Sequence, residues 1–305
     1  MKLAKSSSFP EGRVLEVLRD LAGEASVEVA PRQILAESPL RSLLPAGTRV
    51  YVPFLPRAEW ATTVEACRAL LAQGLEAVPH LPARGVASHG QLDEHLAALR
   101  EAGVDALLLI AGDQAEPSGP FRDTLEILDT GMLESNGIKR LGVAGHPERH
   151  RVASAAALDR ALKLKLEYAR MTASSMWIVS QFAFDSGRVI GWLERLRSMG
   201  VQVPVHVGVP GPASLKTLVA YAAYCGVEAS ARVLVRRPGA ARLLARWTPD
   251  GLVQDLAHYR LTHPDSLLRG IHLFSFGGIE QSAQWLHDLS PPPKVREAIC
   301  TSGVA

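Results

Sequence analysis

Seven polar residues stand where apolar runs of the sequence end or break. Glu28 lies between Val27 and Val29, and His80 closes Leu75-Glu-Ala-Val-Pro-His80. Asp113 follows Leu107-Leu-Leu-Ile-Ala-Gly112, and His146 and Glu148 follow Leu141-Gly-Val-Ala-Gly145. Gln181 falls within Val179-Ser-Gln-Phe182, and His206 sits between Val205 and Val207. A carboxyl inside an apolar strand is costly to ionise, and burial raises its pKa, which suits Glu28 to general-acid work. The plainer reading pairs Glu28 with an arginine of a neighbouring strand. Gln181 offers a donor and an acceptor together, which matches the amide-like edge of a heterocycle; otherwise it is a core amide bonded to backbone. His80 and His206, each taken alone, are more often satisfied core residues than catalytic ones.

The elements that must position these residues follow a repeating order. Apolar runs predict strands at Ser26–Pro31, Arg49–Phe54, Leu75–His80, 106–111, Lys139–Ala144, Trp177–Phe182, Val203–Val207 and Ile271–Phe276. Helical periodicity fills the intervals, at about 11–22, 59–73, 90–102, 120–134, 152–170, 188–198, 213–225 and 279–289. Strands alternating with helices give an α/β fold, and eight such units favour a (β/α)8 barrel over an open doubly wound sheet. A single barrel domain over residues 1–305 is expected, with an insertion at about 229–265 forming two extra helices. Its arginines Arg232, Arg236, Arg237, Arg242 and Arg246 read as a solvated or partner-binding face. In a barrel the site belongs at the C-terminal ends of the strands, where the polar positions would converge on one rim.

Composition narrows the function classes. The formal net charge is +2 at 47% hydrophobic residues, so nucleic acid and acidic membrane surfaces are not expected partners. Cys67, Cys225 and Cys300 are far apart, and no metal site is expected. The start lacks the apolar core of a signal peptide and no run is long enough to span a bilayer, so a cytoplasmic protein is expected. No GxGxxG, P-loop, GxSxG or HExxH motif is present.

Read in order, the strand ends resemble the methylenetetrahydrofolate reductase family over roughly residues 20–290. Ser-Val-Glu-Val-Ala-Pro-Arg32 is similar to its Ser-Phe-Glu-Phe-Phe-Pro-Pro-Arg. Pro79-His-Leu81 is similar to Pro-His-Leu, and Leu-Ile-Ala-Gly-Asp113 to Leu-Arg-Gly-Asp. Val143-Ala-Gly-His-Pro-Glu-Arg-His150 resembles a segment ending Tyr-Pro-Glu-x-His. Ser180-Gln-Phe-Ala-Phe-Asp185 resembles Thr-Gln-Phe-Phe-Phe-Asp, and Gly270-Ile-His-Leu-Phe-Ser275 resembles Gly-Phe-His-Phe-Tyr-Thr.

The resemblance implies an oxidoreductase of one-carbon metabolism, on the route to methionine, that delivers hydride to the methylene carbon of 5,10-methylenetetrahydrofolate. Either direction is compatible with the chain. Glu28 would protonate N10, Asp113 would stabilise cationic character near the pterin, and Gln181 would read the pterin edge. Leu215 stands where the family has a substrate-facing phenylalanine. His80, Ala111, Gly112, His146, His150 and Asp159 fall on the cofactor side, which in the family takes FAD reduced by NADH or NADPH. The departures collect there. The arginine of Leu-Arg-Gly-Asp is Ala111, the tyrosine before Pro-Glu is His146, and the lysine position falls on Leu166 beside Lys163 and Lys165. The expectation is a divergent member that binds folate and nicotinamide but holds FAD weakly or not at all. The alternatives are a non-catalytic folate-binding protein and a folate-dependent methyl-transfer protein; a homo-oligomer is compatible with any of these.

Overall fold

The structure, a computed structural model, describes residues 11–36, 39–55, 58–148, 150, 153–227 and 246–289. Eight parallel strands close into a barrel: β1 (Ser26–Glu28), β2 (Arg49–Val52), β3 (Glu76–Pro82), β4 (Ala106–Ile110), β5 (Arg140–Gly145), β6 (Ser175–Ser180), β7 (Val205–Pro210) and, after a short antiparallel pair, β10 (Leu268–Phe274). Each strand neighbours the next in sequence, and β10 lies between β7 and β1. The fold is therefore the (β/α)8 barrel. The antiparallel pair, β8 (Ala213–Ser214) with β9 (Arg246–Trp247), carries no sequence signal longer than two residues.

Around the barrel run α1 (Glu11–Gly23), α2 (Pro31–Ala36), α3 (Trp60–Ala72), α4 (His89–Glu101), α5 (Thr124–Leu128), α6 (Met132–Ser135), α7 (Ala155–Thr172), α8 (Ser186–Ser198), α9 (Leu215–Cys225), α10 (Asp250–Thr262) and α11 (Ile279–Leu289). Their starts are chemically marked. The side chains of Ser88, Asp123, Ser154, Asp185 and Ser214 each accept a first-turn N–H. The expected helix over 120–134 is two short helices, because Gly131 adopts a left-handed conformation between them. Of the helices expected in the insertion, α10 is present. Residues 228–245, with Arg232, Arg236, Arg237 and Arg242, lie outside the described residues.

Strand alternation sorts the side chains into two cores. Leu107, Leu109, Val205, Val207 and Val209 face the helices in the main apolar core. Tyr51, Val78, Ala106, Leu108, Trp177 and Val179 fill the barrel itself. That second set fixes which way the functional residues point. Register pairs Glu28 with Tyr51, and Tyr51 with Val78, so Glu28 and, two residues beyond Val78, His80 both turn inward. Gln181 shares the parity of Trp177 and Val179 and turns inward as well. Among the described residues no helix is long and apolar enough to cross a membrane.

Candidate active site

Two adjoining features occupy the C-terminal end of the barrel. The first is a carboxylate between two imidazoles. Glu28 Oε2 lies 3.6 Å from His80 Nε2 and 3.9 Å from His272 Nε2. Ser26 Oγ is 2.9 Å from His272 Nδ1, and the rings of Tyr51 and His272 meet edge to face at 4.5 Å. The Glu28 side chain keeps 21% of its surface exposed, whereas that of His272 keeps 1%. Burial raises the Glu28 carboxyl, but contact with His272 and the charges of His80 and His272 outweigh it, so its pKa is lowered. The raised pKa expected from the sequence is thereby corrected: burial was legible, but the two histidines from β3 and β10 were not assigned to the same carboxyl. The arginine partner considered for Glu28 is replaced by these histidines. Burial also lowers His80, against the pull of Glu28. Its Nε2 has no hydrogen-bond partner among the described residues.

The second feature is a cavity of about 1010 Å³ beside the ends of β4, β5 and β6, roofed by α7. Ala111, Gly112, Asp113, His146, His150, Asp159 and Gln181 all line it. Gly112 turns the chain after β4 with φ of 90°, and a Cβ there would stand 3.1 Å from Pro82. Asp113 follows, exposed to the cavity. Gln181 is held by its own backbone neighbour, since the Phe182 N–H donates to Gln181 Oε1 at 3.0 Å. Its oxygen therefore makes the backbone bond of the plainer reading, while the residue also lines the cavity. His146 packs edge to face on His150 at 4.7 Å, and burial, with His150 and Lys165, takes it down to about 4. Asp159 accepts from Arg195 at 2.9 Å.

Four expected residues lie apart from this cavity's walls. Glu28 and His80 belong to the imidazole site. Leu215 packs at the start of α9 with Phe182, Phe184 and Trp247. His206 is further removed. As the second residue of β7 it sits at the opposite, N-terminal end of the barrel, where Arg49 Nη1 lies 3.3 Å from its Nε2. It does not share the rim that the alternation of strands implied, because β7 runs on to Pro210.

Other residues in the site escaped the sequence reading. Arg84 lines the cavity, donating from Nε to the Arg122 carbonyl at 2.7 Å and from Nη1 to the Gln114 carbonyl at 3.1 Å. Lys165, one residue before the position expected for a lysine, also lines it. Burial lowers its pKa to about 8, with Asp123 pulling the other way. Ser26 and His272 stand within the segments Ser26–Arg32 and Gly270–Ser275 that resemble the family, and shared inward parity on neighbouring strands brings the two together.

The sequence profile described as Methylenetetrahydrofolate reductase matches residues 49–237, more than half of the chain. The chain belongs to the methylenetetrahydrofolate reductase family. Within this family it is 24% identical over 192 residues to Methylenetetrahydrofolate reductase 2 of Saccharomyces cerevisiae, a match covering 60% of this chain and 30% of that one. The chain thus spans less than a third of that relative's length. Two structures of dihydropteroate synthase from Thermus thermophilus, one of them in complex with 6HMPPP, align with TM-scores of 0.44 at 14% and 13% identity. They cover 87% of this chain and 91% and 92% of their own. The reductase-family match takes in Asp113, Gln181 and most of the cavity; Glu28 and His272 lie on the strands outside it.

Proposed function

We propose that this chain reduces 5,10-methylenetetrahydrofolate to the 5-methyl form, with hydride taken directly from NADH or NADPH and no resident flavin. The observation that carries this reading is an ionisable carboxyl, Glu28, held between His80 and His272 at the barrel mouth beside one dinucleotide-sized cavity in a reductase-family chain.

The chemistry follows from the groups. Opening the five-membered ring requires a proton on N10; Glu28 is the carboxyl held between the two histidines, and because its pKa is lowered it would donate only after taking up a proton from solvent. As the N10–H bond forms, the bond from the methylene carbon to N10 breaks and an iminium develops at N5. Asp113, at the end of β4, faces that positive charge. The amide nitrogen of Gln181 donates to an acceptor on the pterin edge. Bound NAD(P)H supplies the hydride that completes the methyl group.

FAD fits this cavity poorly at its diphosphate. Position 111 is alanine, and Arg84 is engaged by two carbonyls and Arg195 by Asp159, which leaves Lys165 as the cation of the described lining that would meet a phosphate. Both carboxylate oxygens of Glu148 are buried on the same wall without a hydrogen-bond partner among the described residues. Each charge-assisted contact that is missing weakens an anion by about 1.5–3 kcal/mol. A co-substrate that leaves at every turnover tolerates that loss, whereas a resident cofactor does not.

The test is NADH and NADPH oxidation by purified protein with 5,10-methylenetetrahydrofolate, with the flavin content read from the absorbance spectrum. Turnover by flavin-free protein supports the proposal. Turnover only after FAD is added restores a flavin route, and no turnover with either nucleotide in either direction favours a folate-binding role.

A further inference from the structure

We propose that His272, locked by Ser26, is a positioning residue that orients the Glu28 carboxyl for proton transfer. The inference rests on the reductase reading, since it is Glu28 that would meet N10.

The geometry begins with strand register. Ser26 and His272 are directly paired across β1 and β10, one inward step below Glu28 and its partner Phe274. Both are almost wholly buried, at 0% and 1% exposure. The imidazole is boxed on its faces and edges: Tyr51 meets it at 4.5 Å and 65°, and Phe274 at 4.9 Å and 82°. It has little room to turn. Of its two nitrogens, Nδ1 is taken by Ser26 Oγ at 2.9 Å and Nε2 faces Glu28 Oε2 at 3.9 Å. When Ser26 donates, Nδ1 is the acceptor and the ring proton lies on Nε2, toward the carboxyl. Ser26 satisfies only Nδ1, so the buried Nε2–H needs an acceptor, and the group it faces is the Glu28 carboxylate.

His80 differs. Its Nε2 lies 3.6 Å from the same Glu28 oxygen and has no hydrogen-bond partner among the described residues. His80 therefore belongs to the charge environment, and His272 to the alignment. The titratable groups facing Glu28 are His80 from β3, Tyr51 from β2 and His272 from β10. Arg49 and Glu76 act one layer lower, on Tyr51. In the proposed cycle the Glu28 O–H bond breaks as N10–H forms, leaving a carboxylate that the His272 Nε2–H faces. Solvent then restores the proton.

Ser26→Ala removes the lock and leaves the ring, and His272→Gln removes the ring. Two readouts are needed: the pH dependence of kcat and KM, and the titration of the Glu28 carboxyl by carbon-13 NMR, identified by its loss in Glu28→Gln. In both variants the carboxyl midpoint is expected to rise by about half a pH unit or more, because a group favouring the anion is lost or misdirected. The kcat of His272→Gln is expected to fall by about tenfold or more with folate KM within about twofold, since alignment acts on the transition state. An unchanged midpoint in folded variants overturns the proposal, as does a change confined to KM. If the wild-type chain proves to have no reductase activity, the reductase reading fails separately, and the NMR midpoint still decides whether His272 governs Glu28.

Discussion

The Trp177 indole N–H donates to the Tyr51 phenolic oxygen at 2.7 Å, bridging β6 and β2 across the inside of the barrel. The two residues are 126 positions apart, and their strands are not neighbours. Tyr51 also touches the rings of His80 and His272. The pair is therefore the floor on which the Glu28 site rests.

Removing one side of that bridge leaves a buried polar group alone. Tyr51→Phe is expected to destabilise the fold by about 1–3 kcal/mol by orphaning the Trp177 N–H. Trp177→Phe would orphan the Tyr51 hydroxyl and also open a gap. The double variant should cost less than the sum of the two, as read from urea unfolding midpoints. Strict additivity would show that the bond does not couple the strands.

Gly208 keeps β7 close to the end of β6. A Cβ there would lie 2.3 Å from the Ser180 carbonyl oxygen and 2.8 Å from the Gln181 backbone. Since those atoms are main chain, Gly208→Ala must separate the strands, at a cost of about 1–3 kcal/mol. It should also raise the folate KM by moving Gln181. An unaltered KM in the destabilised variant would count against Gln181 as a reader of the pterin.

Acid should destabilise this protein through its buried histidines. Burial lowers His206 to about 3, with Arg49 and His272 adding to the effect, and burial lowers His146 and His95 to about 4 each. Their folded pKa values lie below the unfolded one near 6.5, so the unfolded chain binds more protons as pH falls. Stability therefore rises with pH from about 4 to about 6.5, and His206 alone contributes a slope of about 1.4 kcal/mol per pH unit there. Chemical denaturation at stepped pH measures it. His206→Gln should flatten the slope; a slope unmoved by that change would show that His206 titrates normally.

Lys165 is expected to set the alkaline limit of nucleotide binding. With its pKa lowered to about 8, it is a cation below that pH and loses its charge above it. The KM for NAD(P)H should therefore rise above about pH 8. Lys165→Met should remove that dependence and raise KM by about tenfold or more at neutral pH, the loss of one charge-assisted contact. Equal KM values for variant and wild type would place the nucleotide phosphates elsewhere.

Periodicity and order made the barrel legible, because a buried parallel strand must be apolar and the helices between must show a 3.6-residue stripe. The same logic marked Glu28, Asp113 and Gln181, since a polar residue in such a strand is conspicuous. What sequence could not decide was who meets whom across the barrel. Ser26 and His272 are 246 residues apart, and only closure of β10 onto β1 makes them partners. That closure turned Glu28 from a carboxyl raised by burial into one lowered by two imidazoles. It also sent His206 to the far end, because a strand's length beyond a residue decides which mouth that residue faces. Arg84 was hidden for a related reason, since a loop has no period that says which side a cavity lies on, and for Lys165 the helix surface left the choice among positions 163, 165 and 166 open. Pattern along the chain reports burial, whereas charge and proton affinity depend on neighbours that only the folded chain brings within a few ångströms.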